Sequence, residues 1–329
     1  MSGGDRARGV AEGTHRRVVA LSGRMTPASA VFPLPGPVDL STTVGRLRHG
    51  RGDATIRSGP DGVWMTRRSA AGPATLHLRV DQTASALHVQ AWGPGADEAL
   101  DAAPGIAGLL DEPEALVPRH ELVRELSRRF AGVRLPRTGL MLQALIPAVT
   151  EQKVTAGEAH RAYEGLIRRL GEPAPGPGVE MGLRLAPPGA VLAGLPYFEM
   201  HTMGLERRRA ELIRRIGGAA SRIESLAALS SGDAFERLQT IPGVGPWTAA
   251  ETIRAAFGDP DMVSLADAHI PHVVCWALAG EPRGDDARML ELLEPYRGQR
   301  GRVVGLLEVA GIRPPRYGPR FTPGRIERL

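Results

Sequence analysis

Apolar and polar residues alternate in three segments of the first hundred residues, a period of two that is typical of β-strands. The segments are Gly62 to Arg67, Ala74 to Val80 and Ala86 to Trp92, and residues rich in Gly, Pro, Asp and Ser separate them. Three antiparallel strands form too small a sheet to be stable alone. We therefore predict that a helix over Asp97 to Leu110 covers one face, although Pro104 interrupts it or begins a second helix.

After Pro113 the apolar residues follow the helical spacing of three and four residues to the end of the chain. The segment His120 to Phe130 carries its apolar residues on one face, which predicts an amphipathic helix. Gly139 to Thr150 is mostly apolar and predicts a buried central helix. Thr155, followed three residues later by Glu158, predicts a capping box at the start of the next helix.

These patterns divide the chain into three parts and predict an α+β fold. Residues 1–30 are rich in Gly, Arg, Ser and Ala without periodicity, so we expect a disordered basic N-terminus. Residues 31–113 are expected to form a small α+β domain with an antiparallel sheet, and residues 114–329 an all-helical domain. Within the helical part, Gly171 to Pro188 is rich in Pro and Gly and predicts a surface loop. A chain of 329 residues is long enough for two domains.

The charge balance is basic, with a formal net charge of +5 and a pI near 10. A basic protein favours a polyanionic partner such as DNA. Arginine supplies nearly all of the positive charge, and Lys153 is the only lysine. A GC-biased genome would produce the same excess of arginine without selection on function, and we favour that explanation for most of these arginines.

Cys275 is the only cysteine, which excludes a disulfide framework and a four-cysteine iron–sulfur cluster. It lies in an apolar helical segment, so we expect it in the core. No apolar run is long enough to span a membrane, and the N-terminus has no signal-peptide core. We expect a cytoplasmic monomer that makes no membrane contact.

A turn with two glycines, Ile241-Pro242-Gly243-Val244-Gly245, lies between two helical patterns. Gly245 can serve as the N-cap of the second helix, with Pro246 at its first position. A helix N-terminus beside glycines presents free backbone N–H donors and a positive dipole end, which suit a phosphate. An ordinary helical hairpin would have the same features, so the turn alone leaves both interpretations open.

Asp267 follows Gly245 by 22 residues and opens another helical pattern. The hairpin and this aspartate together resemble the helix-hairpin-helix DNA glycosylases, whose hairpin reads hydrophobic-Pro-Gly-hydrophobic-Gly with an aspartate at about that distance. The resemblance runs from about Val123 to Leu307, and the preceding region is compatible with the AlkA-like 3-methyladenine branch. It implies double-stranded DNA containing damaged bases as the partner, and a location at the nucleoid.

The resemblance assigns the chemistry to Asp267, whose carboxylate would stabilise positive charge on the sugar and orient the attacking water. Serving only as an N-cap is the alternative. Members of the superfamily that also cut the strand have a lysine where this chain has Trp247, so a monofunctional enzyme is expected. Trp247 would line the base pocket and stack on a cationic alkylated purine; a core tryptophan is the alternative.

Two positions depart from the AlkA-like pattern. Glu251 stands where the family has a pocket tyrosine, and the last helix reads Gly301-Arg302-Val303-Val304-Gly305 without the family's aromatic residue. A pocket with an added acid could prefer a cationic base or bind a different lesion. Glu251 could equally face solvent or pair with Arg254.

The resemblance also implies contacts with DNA. Gln152 and Lys153 match the loop that fills the gap left by an extruded base, and solvation of an ordinary loop is the alternative. Lys153 could contact a phosphate, attack the sugar as a Schiff-base nucleophile, or have no specific role. The remaining expected contacts are Gly243, Gly245, Trp247 and Thr248 at the hairpin and Arg297 near the last helix, where Arg297 and Arg300 could instead cap carbonyls.

No metal site and no required cofactor are expected, apart from a monovalent cation that the family holds on hairpin carbonyls, here near Ile241 and Val244. We predict a monofunctional DNA glycosylase that excises alkylated purines by base flipping and aspartate-assisted hydrolysis in base excision repair. The alternatives are the same chemistry on hypoxanthine or uracil, and a non-catalytic helix-hairpin-helix DNA-binding protein.

Overall fold

Five strands form one antiparallel sheet in the computed structural model, which describes residues 26–315. The spatial order is β1-β5-β4-β3-β2. Val63 pairs with Leu78, and Leu78 pairs with Val89, so apolar side chains of the three central strands lie on one face. The strands are β1 (Ala28–Pro33), β2 (Ile56–Gly59), β3 (Gly62–Ser69), β4 (Gly72–Asp81) and β5 (Ala86–Trp92).

The three predicted strands are confirmed as β3, β4 and β5, but the two edge strands were missed. β1 begins at Ala28, so the prediction of a disordered segment up to residue 30 was wrong for its last three residues. The preceding residues 1–25 lie outside the described part of the chain. β1 and β2 are short, at six and four residues. Segments this short carry little periodicity of their own and are fixed by pairing with a neighbouring strand.

Fourteen α-helices accompany the sheet within residues 26–315. None of them has the length and apolar composition needed to cross a bilayer. They are α1 (Leu40–Gly45), α2 (Ala96–Ile106), α3 (Glu121–Arg129), α4 (Met141–Thr150), α5 (Ala156–Leu170), α6 (Gly189–Gly194), α7 (Tyr197–His201), α8 (Arg207–Gly218), α9 (Ala220–Glu224), α10 (Ser231–Gln239), α11 (Pro246–Phe257), α12 (Ile270–Ala279), α13 (Asp286–Leu293) and α14 (Arg300–Val309).

Helix α2 packs on β1, β4 and β5, so the predicted cover of the sheet is confirmed. Pro104 lies in its last turn and does not end it. α4 is buried along its length among α5, α8 and α11, as its apolar sequence predicted. The Thr155–Glu158 capping box at the start of α5 is present, and Cys275 is fully buried, so both predictions are confirmed.

The segment Gly171 to Pro188 is not a surface loop throughout, and this prediction was wrong in part. Leu183 and Leu185 are buried. Leu183 packs against Trp64 and Trp92, whose rings stack with centroids 5.5 Å apart. The loop therefore covers Trp64 and Trp92 of the sheet, and its buried apolar residues make this contact.

A buried ion pair joins the end of the sheet region, which we define as residues 26–113, to α14. Arg302 of α14 donates to both carboxylate oxygens of Asp111, and the two side chains are only 6% and 5% exposed. Asp111 Oδ2 also accepts the backbone N–H of Leu135 at 3.0 Å. Satisfied charges of this kind fix the relative placement of the elements that carry them, because separating them would leave each charge buried alone.

Candidate active site

The hairpin between α10 and α11 has the predicted geometry. Gly243 has φ +97°, a conformation that side-chain-bearing residues rarely adopt, and a Cβ there would lie 3.2 Å from Leu212. Gly245 is the N-cap of α11, and Pro246 occupies its first position, as predicted. The first turn of α11 therefore begins at a glycine without a side-chain cap, which leaves its backbone donors available.

Two side chains from other segments donate hydrogen bonds to backbone carbonyls of the hairpin. Arg215 of α8 donates to the Pro242 carbonyl at 2.5 Å. Gln152 donates through Nε2 to the Gly243 carbonyl at 3.0 Å and to Thr248 Oγ1 at 2.8 Å. The loop after α4 is thus attached to the hairpin, and the structure brings these two predicted DNA-contacting segments together.

The Thr248 hydroxyl accepts a hydrogen bond from the loop after α4. Its side chain is buried, with the residue 3% exposed, and its Oγ1 accepts the hydrogen bond from Gln152. The backbone N–H of Thr248 lies in the first turn of α11, which has no side-chain cap. A contact between Thr248 and DNA stays a prediction.

Lys153 is exposed at the tip of the loop and has φ +55°. A non-glycine residue in the left-handed region is strained by about 1 kcal/mol, and such residues cluster at functional sites. Its neighbour Gln152 is bound to the hairpin, which keeps the loop tip beside the hairpin. Lys153 is therefore presented on the same side of the protein as the hairpin turn.

Asp267 lies just before α12, and three donors orient its carboxylate. Oδ1 accepts the backbone N–H groups of His269, the N-cap residue of α12, at 2.7 Å and of Ile270 at 2.8 Å, so Asp267 satisfies donors at the start of the helix without being its N-cap. Oδ2 accepts the indole N–H of Trp247 at 2.8 Å. The residue is half-buried and keeps some exposure. A carboxylate held in one orientation at a partly open position can stabilise positive charge that develops beside it.

Trp247 therefore has a contact that its sequence position did not reveal. It was predicted to line the base pocket, and the structure shows its half-buried indole donating to Asp267 across a separation of 20 residues. α11 and the turn before α12 are brought together by this bond. No sequence pattern predicts this hydrogen bond, because a tryptophan N–H donates to whichever acceptor the fold places next to it.

A cavity of about 350 Å³ lies between the sheet region, α11 and α14. Glu251 and Arg254, one and two turns beyond Trp247 on α11, line it. Glu251 Oε1 accepts hydrogen bonds from Arg254 Nη1 at 2.7 Å and from Ser264 Oγ. Of the alternatives for Glu251, the structure shows pairing with Arg254 together with a position on the cavity wall.

Arg46 is a cavity residue that the sequence analysis missed. It follows α1 and lines the same cavity, where its Nη2 lies 3.4 Å from Glu308 Oε2. Burial lowers the pKa of Arg46, and the neighbouring Arg254 adds to the effect. Arg254 donates to the same Glu308 oxygen at 2.7 Å; burial lowers its pKa, but Glu251 and Glu308 outweigh this and raise it above the ordinary value.

The last helix accommodates the Arg46 side chain at Gly305. A Cβ on Gly305 would lie 2.6 Å from Arg46 Nη1 and 2.7 Å from Nη2, so no other residue fits without displacing the guanidinium. Gly305 belongs to the segment in which the family's aromatic residue is missing. In this chain an arginine from the sheet region lies directly against that segment.

Arg297 and Arg300 have different environments. Arg297 is 71% exposed and donates to Glu294 Oε1 at 2.7 Å and 2.9 Å, so it stays at the surface and caps no carbonyl within residues 26–315. Arg300 binds both oxygens of Asp261, with its Nε 2.8 Å from Oδ1. Arg300 is thus held in a structural pair, whereas Arg297 keeps an accessible guanidinium.

The hairpin carbonyls can be tested against the monovalent cation that the resemblance implies. The Ile241 oxygen accepts the Val244 N–H at 2.9 Å, which uses one of its two lone pairs. The adjacent Pro242 and Gly243 oxygens accept hydrogen bonds from Arg215 and Gln152. Ile241 and Val244 therefore fit as carbonyl ligands of such an ion better than the two residues between them.

No protein-family model matches the chain. Among curated proteins it is similar to YfjP of Bacillus subtilis, described provisionally as a DNA-3-methyladenine glycosylase, with 22% identity over 148 residues. The matched part is 44% of this chain and 50% of YfjP, so the chain spans about half the length of that relative.

Three solved structures are similar over most of their length. A 3-methyladenine DNA glycosylase from Archaeoglobus fulgidus has a TM-score of 0.71 at 17% identity, covering 86% of this chain and 98% of the other. MBOgg1 bound to a low-affinity DNA ligand has a TM-score of 0.66 at 15% identity, covering 87% and 96%. The apo 8-oxoguanine glycosylase/lyase of Clostridium acetobutylicum has a TM-score of 0.63 at 11% identity, covering 87% and 96%. At these identities the likeness establishes the fold.

Proposed function

We propose that this chain, which has the fold of the helix-hairpin-helix DNA glycosylases, is a monofunctional DNA glycosylase that removes damaged bases from double-stranded DNA in base excision repair. The observation that carries the proposal is the carboxylate of Asp267, fixed by Trp247 and two backbone N–H groups next to the hairpin. Bonding the first N–H groups of α12 occupies only Oδ1, and Oδ2 is oriented separately by the Trp247 indole.

The hairpin would bind the phosphate backbone near the lesion. The uncapped first turn of α11 offers N–H donors and the positive end of the helix dipole. A monovalent cation on the carbonyls of Ile241 and Val244 would supply a bridge to a phosphate oxygen. The Gln152–Lys153 loop, bound to the same hairpin, would enter the duplex beside the extruded nucleotide. Extrusion itself costs a few kcal/mol, and less for a damaged pair.

Asp267 would then act on the extruded nucleotide. Breaking the C1′–N bond places positive charge on the sugar, and a preoriented carboxylate stabilises that charge without having to reorganise. Three donors already occupy Asp267, which suits a carboxylate that stabilises charge and orients water. The oxygen of the water would bond to C1′ as the C1′–N bond breaks, and a cationic alkylated purine would leave as a neutral base with the bonding electron pair. The proton that the water loses would pass to solvent, which completes hydrolysis.

The expected substrates are alkylated purines, the class that contains the 3-methyladenine named in the description of YfjP, and the charge of the cavity also supports them. A cationic base is attracted to a cavity with an excess of carboxylates. The cavity is lined by the acids Glu151, Glu251, Asp259 and Glu308 and by the arginines Arg46 and Arg254.

Base release from defined duplexes tests the proposal directly. The protein would be incubated with duplexes carrying an alkylated purine, hypoxanthine or uracil, and with undamaged duplex, and the free base would be measured by chromatography. We expect release of the alkylated purine in excess of the spontaneous rate. Release of none of the three bases would contradict the glycosylase assignment, and release of hypoxanthine or uracil alone would contradict the substrate class.

The monofunctional assignment predicts no covalent adduct with abasic-site DNA after borohydride treatment. A lyase needs a nucleophilic amine beside the sugar, and the lysine position of the strand-cutting branch is Trp247 here. Lys153 is the only lysine, so the test is clean. We expect at most the trace that an N-terminal amine gives. A strong adduct that disappears in Lys153→Arg would overturn the assignment.

A further inference from the structure

We infer that Arg46, Glu251 and Glu308 read the hydrogen-bonding edge of the extruded base and select alkylated guanine over alkylated adenine. The inference rests on the proposed function and names its substrate more narrowly. It assigns a specificity role to Arg46, a residue of the sheet region. It also makes the cavity between that region, α11 and α14 the base-recognition site.

The cavity is placed to receive an extruded base. Glu251 lies one turn beyond Trp247 on the same face of α11, and its Oε1 accepts a hydrogen bond from Ser264, three residues before Asp267. Glu151, the residue before Gln152, also lines the cavity. The cavity thus borders both the helix that orients the carboxylate and the loop expected to enter the duplex. Its volume of about 350 Å³ lies within the range of ligand pockets, roughly 300–1,000 Å³.

Recognition in this cavity must rely on polar contacts. No Phe, Tyr or Trp is among the described residues that line it. Glu251 occupies the position of a family tyrosine, and the Arg46 guanidinium lies against Gly305, where the last helix has no side chain. A planar base in this cavity therefore contacts charged groups and aliphatic side chains instead of an aromatic ring. Hydrogen bonds to the edge of the base must then distinguish one base from another.

The three charged groups keep hydrogen-bonding capacity for a ligand. Arg46 has five guanidinium N–H donors, and within residues 26–315 only Nη2 makes a hydrogen bond, a long one of 3.4 Å to Glu308 Oε2. Glu308 Oε1 and Glu251 Oε2 accept no hydrogen bond from the described residues. The cavity therefore offers one group of donors and two separate carboxylate acceptors.

The guanine edge complements this set. It presents the O6 acceptor, the N1–H donor and the N2 amino donor, which match one guanidinium and two carboxylates. The adenine edge presents one acceptor, N1, and one amino donor, so one carboxylate would stay unpaired in the cavity. Leaving a desolvated polar group unpaired is what allows a site to reject a related ligand strongly. Methylation of N7 also makes guanine cationic, which suits the excess of carboxylates.

The inference can be tested on methylated genomic DNA. In one reaction the protein can release both 7-methylguanine and 3-methyladenine from it, and chromatography separates the two bases. For Arg46→Met, which keeps the length of the side chain without its donors, we expect 7-methylguanine release to fall about tenfold. Release of 3-methyladenine should fall less than threefold. Arg46→Lys should also lower the ratio, because an ammonium keeps the charge without the planar fork.

Arg48→Met is the matched control, since Arg48 is exposed two residues away and does not line the cavity. It should leave the ratio unchanged. If both Arg46 variants release the two bases in the wild-type ratio while release still requires Asp267, the inference fails and the proposed function stands. If the wild-type protein releases neither base above the spontaneous rate, both fail.

Discussion

Asp267→Asn should lower the rate of base release by roughly 10²–10³-fold and leave the affinity for duplex DNA nearly unchanged. The carboxylate acts only when charge develops on the sugar, whereas the hairpin and the Gln152–Lys153 loop supply the binding. Single-turnover release of an alkylated purine and a duplex-binding titration measure the two quantities separately. Activity at about a tenth of wild type or more would reject Asp267 as the catalytic carboxylate and leave only its role in bonding the first N–H groups of α12.

The structure also predicts how Asp267→Asn changes stability. The asparagine oxygen can still accept the N–H groups of His269 and Ile270, so these donors at the start of α12 stay satisfied. Its amide nitrogen would face the indole N–H of Trp247, where two donors cannot bond. We expect the free energy of unfolding to fall by about 1–2 kcal/mol, measured by urea denaturation.

Asp285→Asn is the matched control for that substitution. Asp285 is the N-cap of α13 and accepts the Arg288 N–H at 2.9 Å, and it is not among the residues that line the cavity. Asparagine caps as well as aspartate does, so both activity and stability should be close to wild type. A loss of base release in this control would show that capping aspartates affect activity through folding alone.

Trp247→Phe should lower kcat by about tenfold or more and change KM little. Phenylalanine keeps an aromatic ring at this position but removes the only side-chain donor that Asp267 accepts within the described residues. A hydrogen bond to a charged group contributes about 1.5–3 kcal/mol, so a carboxylate without it is less well oriented. If Trp247 acts only by stacking on the base, the loss should appear mainly in KM.

Trp276→Phe is the control for the loss of an indole. Trp276 lies on α12 and is half-buried, and its indole donates no hydrogen bond to the described residues. Its replacement should leave kcat within about twofold of wild type, since it removes no bond at the site. Equal losses of kcat in both variants would indicate a general packing effect, and the positioning role of Trp247 would then be rejected.

Local sequence determined much of this fold, because its signals act between residues a few positions apart. One such signal is the capping box of Thr155 and Glu158 at the start of α5. Another is the Gly245 N-cap followed by Pro246 at the start of α11. The three central strands are indicated by the alternation of apolar and polar residues over six or more positions. The spacing of the hairpin and Asp267 was sufficient to indicate the fold, because each lies at the end of a helix with a strong pattern.

The edge strands and the covering loop were decided by tertiary structure. β2 is four residues long and gains its hydrogen bonds from β3, so its own pattern carries little information. The Pro- and Gly-rich segment Gly171 to Pro188 has the composition of a loop, and its regular structure is limited to a short 3₁₀ helix, Gly176–Gly178, and one β-bridge between Pro173 and Arg184. Its burial against Trp64 and Trp92 follows from the exposed apolar face of the sheet, which only the assembled fold presents.

The sequence by itself determined which residues carry the candidate chemistry, and the tertiary structure decided what each of them touches. Asp267 and Trp247 were both singled out from the sequence, but their hydrogen bond joins α11 to the turn before α12. Arg46 carried no signal at all, because its position depends on a distant glycine in α14 that leaves room for its guanidinium. Side chains choose partners by distance in space, and the local pattern of a chain does not record distances between its remote segments.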